Sequence, residues 1–426
     1  MMNGKRLNPA WTLAILTGLN LFNYLDRFVL SAVLPKLQAE MHIKDGPAGK
    51  IVTAFMIGYF VTSPFFGYLG DRFPRKWLIA VGIFVWSLGT VLTGFARSFE
   101  ELLAYRVLVG VGEASYATIS PSLISDNFGP ERRNNALTIF YVAIPVGAAL
   151  GNIIGGQIAA HYTWRDAFIW AGAPGLLLAL VLLPFQEPAR GEAEGLVKES
   201  SAKPKLADIL KLFGIGKYML VVLGYTAYTF AVGAFGTWGP TFLVRVHNVA
   251  IDTAGTFFGL VLFVSGLLGT LIGGFAATAW QKRNKAGYAW TLGLSVLLAV
   301  PVAFVAFLSH QTMISMVCLA ISMFLLFLCT GPVNTLIIET VPSNLRSSAM
   351  ALSIFMIHLF GDMWSSQIVG HLSDVWNLRA AVLILPVAVL VGALLWIVLA
   401  LQTRNAGAPA LTAQGPKSEK RAGFSQ

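Results

Sequence analysis

Charge is scarce in this chain: Asp, Glu, Lys and Arg together make up 12% of 426 residues. A soluble domain needs about 25% to cover its surface, so the outer surface must face something other than water. Cysteine is scarcer still. Cys318 and Cys329 share one apolar stretch and, on a helix, stand about 16 Å apart along the axis, too far for a disulfide. No Walker-type glycine loop, zinc-spaced histidine set or nucleophile elbow is present. These absences argue against a primary pump, a metal centre and a hydrolase. The expectation is therefore no enzymatic activity, no metal and no cofactor.

What the chain has instead is apolar length. Hydrophobic residues make up 56% of it, in runs that repeatedly reach the ~20 residues needed to cross a bilayer. Its 42 glycines suit closely packed membrane helices. The net charge of +10 is no sign of a nucleic-acid partner, because the basic residues cluster between apolar runs. Lys5-Arg6 ahead of the run from Trp11 resembles a signal peptide. However, no small-x-small site follows, and the run continues through Asp26-Arg27 to Leu34.

Twelve spans are predicted, over 10–34, 48–69, 77–96, 101–124, 135–159, 166–185, 218–243, 254–279, 287–308, 312–340, 347–371 and 380–401. They are too long and too continuously apolar for barrel strands, so an all-α membrane protein is expected. The polar break divides the chain into an N-terminal six-helix bundle (1–186), a linker (187–217) and a C-terminal six-helix bundle (218–404). A small, polar and basic tail (405–426) is expected to be disordered. In the linker, Leu206, Ile209, Leu210 and Phe213 fall at the spacing of a short surface helix. With both termini cytoplasmic, 21 of the 30 Lys and Arg lie on the cytoplasmic side and 7 opposite, Arg27 and Arg106 remaining inside spans. That bias sets the orientation, most naturally in a bacterial inner membrane.

Between spans 2 and 3 the chain reads Gly67-Tyr-Leu-Gly-Asp71-Arg72-Phe-Pro-Arg75-Lys76. This is similar to the G-x-x-x-D-R-x-G-R-R/K loop of the major facilitator superfamily, with Phe73 and Pro74 departing from it. The six-plus-six layout fits the same superfamily. Gly67, Asp71, Arg72, Arg75 and Lys76 are therefore candidate gating residues. Asp71 would meet the positive N-terminal end of span 11 near Arg346, a contact of about 0.3–1 kcal/mol. Simple positive-inside anchoring accounts for Arg75 and Lys76 but not for Asp71. Span 4 (Arg106-Val-Leu-Val-Gly110-Val-Gly112-Glu113-Ala114) resembles the superfamily's R-x-x-x-G-x-G-x-A pattern. Span 5 carries Pro145, Gly147, Gly151, Gly155 and Gly156, a small face for tight helix crossing.

A narrower resemblance, to the Spinster family in a form of prokaryotic type, rests on Asn23-Tyr24-Leu-Asp26-Arg27-Phe28, Gly110-Val-Gly-Glu113-Ala-Ser-Tyr116 and Phe140-Tyr-Val-Ala-Ile-Pro-Val-Gly147. In the second half it rests on Arg346-Ser-Ser-Ala349, His358-Leu-Phe-Gly361-Asp362 and Gly370-His-Leu-Ser-Asp374. It implies alternating access with proton coupling, as an antiporter or, left equally open, a symporter, and a lysophospholipid or sphingosine-1-phosphate-like cargo. A small organic anion or drug carried with protons is the alternative, and a membrane receptor or enzyme a remote one. The partners expected are an amphipathic substrate, protons and membrane lipids, for a monomer.

Ionisable residues inside a span cost about 2.5–3.5 kcal/mol each on insertion scales and mark function by default. Asp26, Arg27 and Arg106 fall at similar depth and are expected to pair, with Glu113 deeper on the same face as Arg106. A buried acid can exchange a proton near neutral pH, so Asp26 and Glu113 are the candidate proton carriers. The candidate substrate site takes Asn23, Tyr24, Arg27, Arg106 and Tyr116 from the first half and Trp238, His358 and Asp362 from the second. Phe230, Phe235, Phe324 and Phe327 are candidates to join Trp238 along an apolar chain. For the ion pairs the alternative is static structure, and for His358 with Asp362 it is packing between helices.

Overall fold

A computed structural model describes residues 8–181, 183, 184, 187, 188, 210–342 and 345–405; the side chains of Asp71, Pro130, Glu131, residues 133–135, Arg346, Ser347 and Asn405 are outside that description. The fold is all-α among the described residues: twelve membrane-crossing rods, with short connections inside each half. The first six are α1 (Pro9–Met41), α2 (Asp45–Arg72), α3 (Arg75–Phe95), α4 (Phe99–Asn127), α5 (Pro130–His161) and α6 (Trp164–Leu178). The second six are α7 (Gly216–His247), α8 (Ile251–Gln281), α9 (Gly287–Leu308), α10 (Thr312–Glu339), α11 (Arg346–Ile357 continuing through a π turn, His358–Asp362, into Met363–Val375) and α12 (Leu378–Arg404). Among the described residues, nine of them are long and apolar enough, by themselves, to cross a membrane. The other three fall short for visible reasons: α6 has 15 residues, and α1 and α11 carry polar residues such as Asn20, Asn23, Asp26 and His358, Asp362.

All twelve predicted spans appear, with shifted ends. α1 runs on past Leu34 to Met41 because its last turns are buried against the other bundle, where Gln38 is 3% exposed. Apolar content marks the hydrocarbon, whereas helical hydrogen bonding continues beyond it. α6 stops at Leu178, seven residues before the predicted end of its span. The chain then tightens into i→i−3 turns at Leu180 and Val181, ahead of Pro184, which disfavours helix in the residue before it. In the linker, Leu212–Gly214 forms a 3-10 turn. Leu206, Ile209 and the tail from 406 lie outside the described residues.

α1–α6 pack on one another, α7–α12 do the same, and the two bundles meet mainly along α1/α7, α2/α11 and α5/α8. That meeting is concentrated at one face. On α11 it is the last segment, Met363–Val375, that packs along α2, and on α8 the first, Ile251–Val264, that packs along α5. Those segments lie at the face opposite the one where α1 begins and α12 ends, termed here the terminal face. Toward the terminal face the bundles diverge, with Phe60 and Phe355 still touching across the α2/α11 seam, ring centroids 5.1 Å apart.

Candidate functional site

A cavity of about 970 Å³ lies between the bundles. Its wall is mostly apolar, with Phe28, Phe55, Val142, Leu262, Met323 and Phe327 among its residues. Arg27, Arg106, Tyr24 and Tyr141 come from the first bundle, Asp362 and Asn334 from the second, and the remaining polar groups are the hydroxyls of Ser31 and five threonines. The cavity also reaches toward the seam between α5 and α8, where Tyr141 and Leu271 line it and are 47% and 50% exposed.

The charged cluster in the first wall differs from expectation. Arg27 pairs with Glu113, not with Asp26: its Nη2 and Nε donate to the same Glu113 Oε2 at 2.5 and 3.1 Å. Its guanidinium also lies over the rings of Tyr24, Phe55 and Tyr59, at 4.9, 4.8 and 5.5 Å from their centroids. Asp26 points elsewhere, taking the Thr90 hydroxyl from α3 at 2.5 Å. Adjacent helical residues diverge by about 100°, so Asp26 and Arg27 cannot share a partner on one side of α1. Arg106 is 1% exposed and lies over Phe55 at 5.1 Å. Its Nε and Nη1 have no hydrogen-bond partner among the described residues, nor do Asp26 Oδ1, Glu113 Oε1 and Asn23 Nδ2. Asn23, 2% exposed, stands beside Glu113 behind the cavity wall.

The glycines of α4 place Glu113. A Cβ at Gly110 would stand 2.1 Å from the Phe55 carbonyl oxygen of α2, and one at Gly112 would stand 2.4 Å from the Trp86 nitrogen of α3. α4 is thereby wedged between α2 and α3, with Glu113 fully buried at the level of Arg27. The glycines of α5 do similar work: Gly147 and Gly151 meet the carbonyl oxygens of Leu21 and Leu25 on α1.

The other candidates divide. His358 Nδ1 meets both carboxylate oxygens of Asp362 at 3.0 and 3.1 Å across the π turn. Asp362 lines the cavity and His358 does not. Tyr116 is absent from the cavity wall: fully buried, it donates its hydroxyl to the Leu16 carbonyl and packs edge-on to Trp86. Trp238 is also in packing, its indole N–H donating to the Ser366 carbonyl at 2.9 Å. Phe235 packs on Phe258 and Phe307. Of the five aromatics expected along an apolar chain, Phe327 is the one in the wall. Tyrosine and tryptophan in a core need an internal partner for their polar tip, and both found backbone carbonyls.

At the terminal face, Arg75 is 2% exposed and bonds within its own bundle. It pairs with Asp126, donates to Ser122 Oγ at 3.0 Å, and stands 3.6 Å from Glu187. The backbone N–H of Lys76 donates to Glu187 Oε2 at 3.0 Å. Arg72 stacks on Tyr68, 3.5 Å from the ring centroid. In this conformation, then, Arg75 and Lys76 tie α3 to α4 and to the chain beyond α6. The Asp71 and Arg346 side chains lie outside the described residues.

Sequence reasoning missed the polar network at the opposite face. Arg245 donates to Asp45 Oδ1 at 2.6 Å and to Gln38 Oε1 at 2.5 Å, and Gln38 donates to Asp45 Oδ1 at 2.7 Å. Ser373 donates to Asp45 Oδ2 at 2.5 Å, and Asp374 accepts from the N–H groups of Asp45 and Gly46, both at 2.9 Å. One signal could have found it: Gly370-His-Leu-Ser-Asp374 repeats the G-x-L-x-D spacing of Gly67-Tyr-Leu-Gly-Asp71.

Comparison with known proteins agrees with this geometry. A family model described as Major Facilitator Superfamily matches residues 16–366. The chain is 35% identical over 389 residues to Protein spinster homolog 1 of Homo sapiens, covering 86% of this chain and 73% of that protein. It is 34% identical over 375 residues to Protein spinster of Drosophila melanogaster, covering 85% of this chain but 62% of the fly protein's length. Among solved structures, a bacterial homolog to the human lysosomal transporter Spinster, inward-facing and unoccupied, superposes with a TM-score of 0.86 at 23% identity, over 96% of this chain and 100% of that one. A D-xylose–proton symporter superposes with a TM-score of 0.70 at 19% identity, over 92% and 96%.

Proposed function

The chain belongs to the Major Facilitator Superfamily and, within it, to the Spinster proteins, so it is a multi-pass membrane transporter; from that premise we propose that it is a proton-coupled transporter of an amphipathic lipid. The observation that carries the proposal is the cavity between the bundles. A largely apolar wall suits an acyl chain. Arg27 and Arg106 on one side and Asp362 on the other suit a headgroup bearing phosphate, alone or with an amine. The reach toward the α5/α8 seam leaves room for a chain longer than the headgroup site. Glu113 and Asp26 are the proposed proton carriers, because each is a buried acid with one oxygen unpartnered among the described residues. The cargo we propose is a lysophospholipid or a sphingosine-1-phosphate-like lipid.

The orientation follows from the 21-to-7 distribution of Lys and Arg. The terminal face is placed in the cytoplasm, of a bacterial inner membrane, and the conformation described here is then inward-facing. The protein is proposed to work as a monomer, without cofactor or metal, as a carrier and not an enzyme. Two measurements test the reading. In proteoliposomes, labelled lysolipid should move faster with a pH gradient than without one. Equal rates remove proton coupling, and no movement of any lysolipid removes the lipid reading. For orientation, cysteines at Lys285 and Arg97, in a background with Cys318 and Cys329 changed to serine, should label from the cytoplasmic and the opposite side respectively. The reverse pattern inverts the topology.

A further inference from the structure

At the depth of the cavity the two bundles are built differently. α1 to α6 each run as one α-helix from end to end, even where α2, α4 and α5 carry Pro64, Pro121 and Pro145. Three helices of the second bundle do not. α8 widens into a π turn at Ser265–Gly269. α11 does the same at His358–Asp362, where the Met363 N–H reaches back five residues to the His358 carbonyl. α10 breaks its ladder at Leu328 and Cys329. There the Cys329 N–H donates to the Leu326 carbonyl, three residues back, at 3.4 Å, before α bonding resumes at Val333. All three breaks reach the cavity, through Gly266 and Leu267, Phe327 and Thr330, and Asp362. Beyond the breaks on the terminal side, Thr270–Gln281, Thr330–Glu339 and Arg346–Ile357 pack on one another in that order. We propose that these three segments form a flap, which bends at the three breaks to shut the terminal face while the first bundle moves as a rigid body. The proposal rests on the transporter assignment and not on the lipid reading.

Backbone geometry supplies the reason. A helix bends sharply where its i→i−4 bonding is interrupted, and inside a membrane such an interruption persists only where protein or a water-filled cavity receives it. The breaks also sit where the packing changes. On their other side, Ile251–Val264 of α8 and Met363–Val375 of α11 hold the seams to α5 and α2. Those seams therefore stay shut while the flap swings. Within the first bundle the helices meet backbone to backbone. A Cβ at Gly58 on α2, Gly112 on α4 or Gly147 on α5 would stand 2.3, 2.4 or 2.5 Å from a main-chain atom of the next helix. Contacts that close leave no room for one helix to bend past another. In the flap, Gly273 of α8 is as close to α10, 2.0 Å from the Leu328 carbonyl oxygen by the same measure, so these two helices bend together. Gly331, just past the α10 break, has nothing nearer than 3.8 Å. The flap already touches the first bundle at Phe355, which meets Phe60. Thr330–Glu339 has ten residues, about 15 Å of helix, so a bend of about 20° carries Glu339 about 5 Å.

The test measures distances inside each bundle as well as between them, with spin labels on the full chain after Cys318 and Cys329 are changed to serine. Trp77 and Glu339 report closure of the terminal face. Glu339 and Arg404, both in the second bundle, report bending of the flap. Trp11 and Trp77, both in the first bundle, report its rigidity; all four positions are exposed. The terminal face is driven shut with Gly46→Val, whose side chain would push against His371 and Asp374 across the opposite face. The Trp77–Glu339 distance should shorten, Glu339–Arg404 should change by about 5 Å, and Trp11–Trp77 should stay fixed. Shortening of Trp77–Glu339 with Glu339–Arg404 unchanged means that the second bundle moves whole, and overturns the flap. A matching change in Trp11–Trp77 overturns the rigid first bundle. Should Gly46→Val fail to fold or leave Trp77–Glu339 as it was, hydrogen exchange on the unsubstituted protein decides. Amides of 266–270, 329–333 and 359–363 should exchange faster than those of 144–150 on α5, a stretch that lines the same cavity. Equal protection overturns the proposal.

Discussion

Asp374, at the end of α11, caps the first turn of α2 in the other bundle: its two carboxylate oxygens accept the backbone N–H groups of Asp45 and Gly46, each at 2.9 Å. A helix N-terminus offers free donors and partial positive charge, so a carboxylate there is favourable by about 0.3–1 kcal/mol when exposed and up to ~2 when partly buried. Here the cap also joins the bundles, beside the Arg245–Asp45 pair. A Cβ on Gly46 would stand 2.7 Å from Asp374 Oδ2 and 2.6 Å from His371 Nδ1.

Opening of the opposite face should therefore become easier in Gly46→Val and in Asp374→Asn, which keeps one acceptor and loses the charge. Spin labels at Arg97 and Met313, exposed on the two bundles at that face, should report longer distances in both variants. Distances unchanged from wild type would leave the Asp374 cap as decoration on a seam held by apolar packing.

How much of this was legible beforehand follows from what each residue depends on. Span number, the all-helical fold and the small face of α5 follow from local composition, and all were read correctly. The π turn and the burial of Tyr116 and Trp238 depend on which neighbour a helix face meets, which composition does not encode. Arg27 is the instructive case. Depth along the helix was right, but partner choice needed the rotation of α1 against α3 and α4. The cap by Asp374 was missed because a carboxylate bonding backbone N–H groups requires no complementary side chain, so charge pairing gives no hint of it.

Gly112 is expected, with Gly110, to be among the least tolerant positions of α4. Alanine there puts a Cβ 2.4 Å from the backbone nitrogen of Trp86 and 2.5 Å from the Gly82 carbonyl oxygen, neither of which can swing away. Overpacking of this kind costs about 1–3 kcal/mol. The melting temperature of Gly112→Ala should fall clearly below wild type. Gly274→Ala, where a Cβ meets nothing within 4 Å, serves as control. Equal melting temperatures for the two would mean that α4 is free to move out from between α2 and α3.

Asp71 lies at the other end of α2 from the Asp374 cap, and its spacing from Gly67 matches that of Asp374 from Gly370. As a gating residue it should stabilise the closed state of the terminal face through the N-terminus of α11. Asp71→Asn should then shift the population further toward the conformation described here. Spin labels at Trp77 and Glu339, on exposed positions of the two bundles at that face, should lose their shorter-distance component. A distribution identical to wild type would make the loop a positive-side anchor and nothing more.

The proton switch separates most sharply from static structure by comparing two substitutions whose consequences the observed pairing makes unequal. Glu113 is the acid that holds Arg27, and Asp26 holds a hydroxyl. If the Arg27–Glu113 pair is purely structural, Glu113→Gln strands a cation that is 25% exposed, at a cost of at most about 3–5 kcal/mol. Asp26→Asn, which still accepts from Thr90, should then be milder. The melting temperature would fall steeply in the first and little in the second, and the pH dependence of opening would survive in whatever folds. If Glu113 is the switch, Glu113→Gln mimics its protonated form. The cavity can then admit water or an anion to Arg27, folding persists, and the conformational equilibrium loses most of its pH response. Because a proton on Glu113 releases Arg27, the wild type should respond as pH falls, and Glu113→Gln should resemble the acid-side wild type at every pH. Measuring the pH midpoint of opening with melting temperature in both variants decides between the two. A full wild-type pH response in Glu113→Gln would exclude Glu113 as the switch. The same response in Asp26→Asn, with the Glu113→Gln response flattened, would place the coupling on Glu113 alone and leave Asp26 as the residue that fixes α1 against α3.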